Sequence, residues 1–306
     1  MTSAFNGLLV VDKPVGITSR DAVDRAQTWF PRSTKLGHTG TLDPLATGVL
    51  VLTLGQATRL SEYVQRMRKT YRATVRFGAS SDSDDADGIL TERYVDQPPD
   101  REAVERALSG FIGTISQLPP AYSALKTTGR RACDLARRGI EVALAPRPVV
   151  VHAIQLLSYE YPRLELEVEC GKGTYIRSLA RDLGEMLGCG GHVETLRRLR
   201  VGSFAACDAL SLDAERPTAQ QSVLPMSAAV SELHRVTITL DEAERLCRGM
   251  AVSPEGAASD LAQLSASSEL AVFGPDDQFL ALAAVVPEKG LLRPLKVFAK
   301  PAKPGG

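Results

Sequence analysis

The chain has 306 residues, 44% of them apolar and 24% charged, and its formal net charge is zero. This length allows one large domain with a smaller one beside it, and the neutral balance requires that any affinity for nucleic acid come from local basic patches. Five scattered cysteines without a C-x-x-C pair, four histidines without H-E-x-x-H and the lack of a long apolar run argue against structural zinc, a metal enzyme and a membrane span. The N-terminus carries no secretion signal, so we expect a cytoplasmic protein.

The N-terminal part of the chain predicts strands that alternate with short helices. The predicted elements are a strand at 7–14, a helix at 20–30, a strand at 49–55, a helix at 57–67 and a strand at 70–78. The hydroxyls of Thr18 and Ser19 precede the first helix and can cap it. The strand TYRATVRFG alternates with period two, which puts Tyr71 on its apolar face.

An acidic segment, SSDSDDADG (80–88), follows that strand. With Gly88 at the sixth position of a calcium-binding loop, Ser83 falls on the first position and Tyr94 on the twelfth. The bidentate glutamate that such a loop needs is therefore missing. We interpret the segment as an acidic turn.

The rest of the chain predicts further strands and helices, then a boundary. The predicted elements are a helix at 101–111, a basic surface excursion at 118–142, strands from 147 to 170, a helix at 175–187, a short helix within 192–200, a polar boundary at 208–232, a strand at 234–240, a helix at 241–250 and three strands near 269–298. The tail after the boundary is typical of a small appended β-barrel.

The segment LGHTGTLDPLATG (36–48) contains the aspartate of most interest, Asp43. An Asp-Pro pair often begins a turn, and its carboxylate then usually bonds nearby backbone amides. A second interpretation is that Asp43 does chemistry, which would require a cationic partner to keep it ionised. GKGTYIRSLARDLG supplies one candidate where a glycine loop meets a helix. There Arg177 is either an ordinary surface arginine or a buried counter-ion. As a counter-ion it would orient the Asp43 carboxylate through a forked contact and lower the pKa of Asp43.

Other residues also have two interpretations each. Tyr71 is either a core tyrosine or a platform on which a base stacks, His38 alone is typical of a hydrogen-bonded loop histidine, and Leu196 alone is typical of core. Individually the basic side chains are typical of solvated surface, whereas their clustering in two loop-like regions allows them to supply a phosphate-binding track. They are Lys126, Arg130, Arg131, Arg137, Arg138, Arg197, Arg198 and Arg200.

Six motifs in register resemble the bacterial TruB-type tRNA pseudouridine synthases. They are VDKPVGITS, GHTGTLDPLATG, KTYRATVRFG, PPAYSALK, RPVVV and GKGTYIRSLARDLG, and together they extend over residues 7–205. The resemblance implies an enzyme that converts uridine 55 in the T-arm loop of tRNA to pseudouridine. It also implies an α+β fold with a mostly antiparallel sheet, no metal or organic cofactor, and a PUA-like RNA-binding domain at the C-terminus. We place the catalytic domain at 1–230, with an RNA-clasping insertion at 118–146, and the PUA-like domain at 232–306.

The same resemblance implies roles for particular residues. Asp43 corresponds to the family's catalytic aspartate. The substrate-binding positions fall on His38, Tyr71, Tyr175, Arg177 and Leu196. Two chemical routes stay open, namely direct attack of the carboxylate at C1′ and abstraction of the C2′ proton to give a glycal. We expect a monomer that binds tRNA without an obligate protein partner and without a membrane.

Two other classes of protein compete with this interpretation. An RNA-binding protein would keep the basic segments and the C-terminal domain, with Asp43 only forming a turn. A carbohydrate hydrolase would need a second carboxylate within roughly 5–10 Å of the first, and the motifs that carry the resemblance do not supply one.

Overall fold

The computed structural model describes residues 5–123, 144–254, 268–286, 288 and 290–299, with the backbone of 126–127 and 130–131. The described strands are β1 (Gly7–Lys13), β2 (Leu36–His38), β3 (Thr47–Leu54), β4 (Lys69–Phe77), β5 (Ala79–Ser81), β6 (Leu90–Glu92), β7 (Gly113–Gln117), β8 (Lys126–Thr127), β9 (Arg130–Arg131), β10 (Arg147–Glu160), β11 (Arg163–Cys170), β12 (Gly191–Val201), β13 (Phe204–Ala205), β14 (Leu210–Ser211), β15 (His234–Thr237), β16 (Glu269–Phe273), β17 (Phe279–Val286) and β18 (Leu291–Val297). The described α-helices are α1 (Ser19–Gln27), α2 (Ser61–Arg66), α3 (Arg101–Ser109), α4 (Ile176–Met186), α5 (Arg216–Gln221) and α6 (Leu240–Cys247). None of these helices is long and apolar enough to span a bilayer.

A ten-stranded sheet forms the frame of the molecule. Its main path runs β14-β1-β3-β12-β4-β11-β10-β7, with β2 beside β3 and β13 beside β12. Within it β1 pairs in parallel with β14 and β3 in parallel with β12, while the other ladders are antiparallel. The predicted α+β fold with a mostly antiparallel sheet is therefore confirmed.

Both faces of this sheet are covered by apolar side chains. In β1, Leu9 and Val11 enter the core beneath α1, α3 and α4, whereas Leu8 and Val10 enter a second core on the opposite face. Burial on both faces explains why GLLVVDK is almost continuously apolar instead of alternating with polar residues.

The second core joins the large sheet to the C-terminal residues. A four-stranded sheet in the order β15-β16-β17-β18 contributes Phe273 and Phe279 to this core, and Phe298 follows directly after β18. There they meet Tyr63 and Met67 of the segment around α2. The expected small β domain is therefore present as a four-stranded sheet, and it packs directly on the back of the larger one.

The short helix predicted within 192–200 is wrong, because these residues lie in β12 between β4 and β3. The apolar residues Val193, Leu196 and Leu199 recur every third position, which favours a helix. Register shifts between Val193 and Thr195 and between Arg198 and Arg200 insert extra residues into the strand. Such bulges displace the alternation, so Val193 and Leu196 are both buried although three positions separate them.

Candidate active site

Asp43 lies in the loop between β2 and β3, and several hydrogen bonds fix the shape of that loop. The Ser19 hydroxyl accepts from the Leu42 amide at 2.7 Å and donates to the Leu42 carbonyl at 3.0 Å. The backbone carbonyl of Asp43 accepts from the Ala46 amide at 3.1 Å and closes the turn. Asp43 thus forms the turn that the sequence suggests, but it does so with its backbone carbonyl. Its carboxylate is directed elsewhere.

The cation opposite Asp43 comes from the first turn of α4. The side chain of Gln117, at the end of β7, accepts from the Tyr175 amide at 2.8 Å and donates to the Tyr175 carbonyl at 3.0 Å. This pair of bonds anchors the residue before the helix, so Tyr175 and Arg177 project from a fixed backbone. Arg177 is 4% exposed.

The guanidinium of Arg177 divides its two terminal nitrogens between two carboxylates. Nη2 lies 2.9 Å from Oδ2 of Asp43 and donates to the Tyr122 carbonyl at 2.8 Å. Nη1 lies 3.1 Å from Oδ2 of Asp85 and donates to the Ser83 carbonyl at 2.9 Å. The predicted fork on Asp43 alone is therefore wrong, because Asp85 takes the second nitrogen.

A cavity of about 480 Å³ opens beside this ion pair. Its lining brings together the residues predicted for the site: His38, Asp43, Tyr71, Tyr175, Arg177 and Leu196. Tyr71 lies at the start of β4, and Leu196 lies on the neighbouring β12 and is 8% exposed. The cavity therefore has aromatic and aliphatic walls, and the Asp43–Arg177 ion pair is part of its lining.

Arg198 contributes to this cavity, although the sequence suggests a surface position for it. It is 3% exposed, and its Nε donates to the Val49 carbonyl at 2.7 Å while Nη2 donates to the Gly40 carbonyl at 3.2 Å. Its guanidinium lies 6.0 Å from the centre of the Tyr71 ring. Gly48 permits this approach of β3 to β12, because its φ is +101° and a Cβ there would lie 2.2 Å from the Arg198 carbonyl oxygen.

Two lysines near the cavity have lowered pKa values. Burial lowers the pKa of Lys13 to about 8, with Asp43 acting in the opposite direction. The Lys13 ammonium donates to the carbonyls of Pro14 and Ile17 at 2.8 Å each. Burial also lowers the pKa of Lys69 to about 8, and the nearby Arg198 adds to the effect. Both lysines thus hold backbone around the site instead of extending into solvent.

Desolvation dominates the ionisation of Asp43. Although 35% of its side chain is exposed in the open cavity, burial of the carboxyl raises its pKa above the ordinary aspartate value, with Arg177 and Lys13 opposing and Asp85 and Asp87 adding to the rise. The sequence predicts instead a pKa lowered by Arg177. That prediction is wrong in net direction, because desolvation of the carboxyl outweighs the effect of the Arg177 charge.

Asp85 is the residue of this site that sequence reasoning missed. The acidic segment 80–88 is a turn, as predicted, but Asp84 and Asp85 are only 6% and 4% exposed. Asp84 pairs with Arg181 at 2.7 Å, as Asp85 pairs with Arg177. The spacing of two bases one turn apart in α4, at Arg177 and Arg181, is the signal that could have paired them with two adjacent aspartates.

The predicted phosphate-binding track falls mainly outside the described residues. Arg137 and Arg138 lie there entirely, as do the side chains of Lys126, Arg130 and Arg131, whose backbone forms the β8–β9 pair. Arg197 pairs with Asp12 at 2.7 Å, and Arg200 is exposed. Across the described part of the chain, no group of three or more His, Cys, Asp or Glu side chains could hold a metal ion.

Solved structures share this fold over nearly the whole chain. A chain of an H/ACA RNP bound to a substrate RNA containing 2′-deoxyuridine has a TM-score of 0.72 and 23% identity, covering 97% of this chain and 86% of that one. A chain of a Cbf5-Nop10-Gar1 complex has a TM-score of 0.72 and 24% identity, covering 96% and 85%. At these identities the similarity defines the fold alone.

Sequence similarity then gives the family. Residues 28–176 match the N-terminal domain model of the TruB family pseudouridylate synthases, and residues 177–215 match the C-terminal domain model of tRNA pseudouridylate synthase B. The tRNA pseudouridine synthase B of Caulobacter sp. strain K31 is 40% identical, covering 96% of each chain, and that of Dehalococcoides mccartyi is 40% identical, covering 97% of this chain and 98% of its own. The chain belongs to the TruB family, which confirms the predicted class of enzyme.

The divided guanidinium predicts opposite pKa changes in two variants. Arg177→Gln should raise the pKa of the Asp43 carboxyl further, because it removes the strongest opposing charge, whereas Asp85→Asn should lower it by removing a repelling carboxylate and freeing Arg177. Carbon-13 NMR titration of the Asp43 carboxyl would measure both. Arg20→Gln, at an exposed arginine paired with Asp24, is the control and should change nothing. Shifts of the same sign in the two variants would contradict this electrostatic description.

Proposed function

We propose that this protein isomerises uridine 55 in the T-arm loop of tRNA to pseudouridine, with Asp43 as the essential carboxylate. The observation that carries the proposal is the 2.9 Å ion pair between Asp43 and the buried Arg177 at the edge of a cavity walled by Tyr71, Tyr175 and Leu196. Family membership supports the reaction class, and this pair supports the role of Asp43.

The reaction breaks the N1–C1′ bond, turns the freed uracil and joins C5 to C1′, after which C5 loses its proton and N1 carries one. In the direct route the Asp43 carboxylate attacks C1′, and in the glycal route it removes the C2′ proton. Both routes require an ionised carboxylate in a site largely closed to water. Arg177 and Lys13 favour that ionised form against desolvation.

The target base must leave its stack before it can reach Asp43. Extruding a base costs on the order of a few kcal/mol, and stacking on an aromatic side chain returns about 1–3 kcal/mol. Tyr71 is suited to this stacking because its aromatic side chain lines the cavity, together with Tyr175 and Leu196. His38, which lines the same cavity, would fill the space that the nucleotide leaves.

Enclosure also keeps the cleaved uracil next to its sugar. Holding two reactants in position can supply roughly 7–11 kcal/mol of a barrier. Apolar walls suit this task, because they bind the flat faces of the base while leaving it free to rotate. The rotation would be hindered by a ring of directional hydrogen bonds.

We assign RNA binding to the parts of the chain around this site. Residues 1–230 would form the catalytic domain, 118–146 an insertion that clasps the RNA, and 232–306 a PUA-like domain. Lys126, Arg130, Arg131, Arg137 and Arg138 would bind phosphates of the T-arm. The protein would act in the cytoplasm on tRNA, as a monomer with neither a cofactor nor an obligate protein partner.

Asp43→Asn should abolish pseudouridine formation while tRNA binding stays within a few-fold of the unmodified protein. The amide keeps the size of the carboxyl but cannot act as nucleophile or base. Chemical labelling of pseudouridine in a T-arm stem-loop measures the first quantity, and filter binding measures the second. Asp24→Asn, an exposed aspartate on α1, is the matched control. Appreciable residual turnover in Asp43→Asn would remove Asp43 from its role and favour an RNA-binding protein in which it only forms a turn.

Tyr71→Leu should reduce the rate of a single turnover by about tenfold to a hundredfold, because the base can no longer stack on an aromatic ring. Tyr71→Phe should stay within about threefold, because the ring remains and the substitution removes only the long 3.5 Å hydrogen bond from Arg198. Thermal unfolding of both variants separates catalysis from packing. If Tyr71→Leu loses melting temperature in proportion to activity, Tyr71 is a core residue and not a stacking platform.

Arg130→Gln combined with Arg131→Gln should weaken tRNA binding and flatten its dependence on salt. Removing one phosphate contact lowers the slope of log affinity against log salt by about 0.7–0.9. The measurement is a binding series over several salt concentrations. Arg101→Gln with Arg106→Gln, two exposed arginines on α3, is the control pair. An unchanged slope in the first pair would exclude these residues from the phosphate track.

A further inference from the structure

Ser123 carries a buried hydroxyl that has no hydrogen-bond partner among the described residues. The residue is 3% exposed, and its Oγ has neither a geometric hydrogen bond nor contact with solvent. The Ser123 hydroxyl lies near the Tyr175 phenol. Burial raises the pKa of that phenol, and the Ser123 hydroxyl acts in the opposite direction without meeting the geometry of a hydrogen bond. A buried hydroxyl in this condition destabilises the folded state.

The position of Ser123 is where two cavities meet. A second cavity, of about 920 Å³, is also lined by Asp43. The residues that line both cavities are His38, Thr41, Leu42, Asp43, Ser123 and Arg177. Tyr71 and Leu196, proposed to hold the base, line the first cavity alone. Ser123 therefore borders both cavities, as the Asp43 carboxylate does.

A shared nitrogen fixes Ser123 close to Asp43. Nη2 of Arg177 contacts the Asp43 carboxylate and also donates to the carbonyl of Tyr122, the residue directly before Ser123. The carbonyl that leads into Ser123 and the carboxylate of Asp43 thus meet at one atom. A nucleoside whose C1′ or C2′ reaches Asp43 would place its sugar in the space that Ser123 also lines.

We propose that the Ser123 hydroxyl hydrogen-bonds the ribose 2′-hydroxyl of the target uridine and so favours RNA over DNA at this position. The inference rests on the proposed function. A hydroxyl is both donor and acceptor, which suits a 2′-hydroxyl that is also both. An unpaired buried group at a binding site is the expected result when the ligand supplies its partner.

The test is a binding cycle that varies the protein and the sugar together. A T-arm stem-loop with uridine at the target position is compared with one carrying 2′-deoxyuridine there. Both are titrated against full-length Asp43→Asn, in which no turnover occurs, with and without Ser123→Ala. Ser123→Ala should weaken binding of the uridine RNA by about threefold to tenfold, the effect of one neutral hydrogen bond, and leave binding of the 2′-deoxyuridine RNA unchanged.

Ser178 provides the control for stability. It is fully buried on α4, and its Oγ donates to the Leu118 carbonyl at 2.8 Å, so its hydroxyl is already satisfied. Ser178→Ala should lower the melting temperature without discriminating between the two RNAs. Ser123→Ala should leave the melting temperature unchanged or raise it, because the substitution breaks no internal hydrogen bond.

Two results would overturn the proposal for Ser123. One is an equal loss of affinity for both RNAs, which indicates a structural effect, and the other is no loss for either. Pseudouridine formation by the unmodified protein is measured in parallel. If it forms pseudouridine but the cycle shows no coupling, the assignment of Ser123 alone is wrong. If it forms none, the proposed function fails and the assignment of Ser123 fails with it.

Discussion

One buried guanidinium organises the site. Arg177 joins four separate segments, because its terminal nitrogens contact Asp43 before β3, Ser83 and Asp85 after β5, and Tyr122 after β7, while its own backbone belongs to α4. A buried cation is tolerated only when it is fully paired, and removing one partner leaves a charge that water cannot reach. The same contacts that satisfy Arg177 therefore fix the distances between loops that are far apart in the sequence.

Arg177 is shared between two carboxylates, and in the proposed reaction this sharing would have a chemical use. A fully neutralised Asp43 would be a poor nucleophile or base, because a forked contact stabilises the anion that must react. Sharing Arg177 with Asp85 weakens that stabilisation while still positioning Asp43. The raised pKa of Asp43, caused first by desolvation, is the electrostatic expression of this balance. In the proposed reaction, Nη2 of Arg177 would orient Asp43, while the contact of Nη1 with Asp85 would limit how far Arg177 stabilises the Asp43 anion.

The sequence predicts more of the frame than of the contacts. Apolar runs and period-two alternation predict β1, β3 and β4, and caps and glycines predict α1, α3 and α4 near their observed bounds. The alternation rule fails in β12, where two bulges place buried residues at helical spacing. The burial of Asp85 and of Arg198 could not be predicted from their own segments, since acidic turns and arginine-rich segments are usually solvated. It depends on partners 92 and 149 residues away in the chain, and for Asp85 the signal lies in the spacing of Arg177 and Arg181 on α4.

The two sheets share one apolar core, and this has a consequence for how the C-terminal residues can be studied. On the back of the large sheet, Tyr63 and Met67 are covered by Phe273, Phe279 and Phe298. Truncation before residue 232 would therefore expose apolar surface directly behind β1 and β3. Any loss of activity in a shortened protein would chiefly reflect aggregation and destabilisation of the strands beside Asp43. The contribution of the C-terminal residues to the proposed RNA binding is measurable only through substitutions on their exposed surface, which leave the shared core intact.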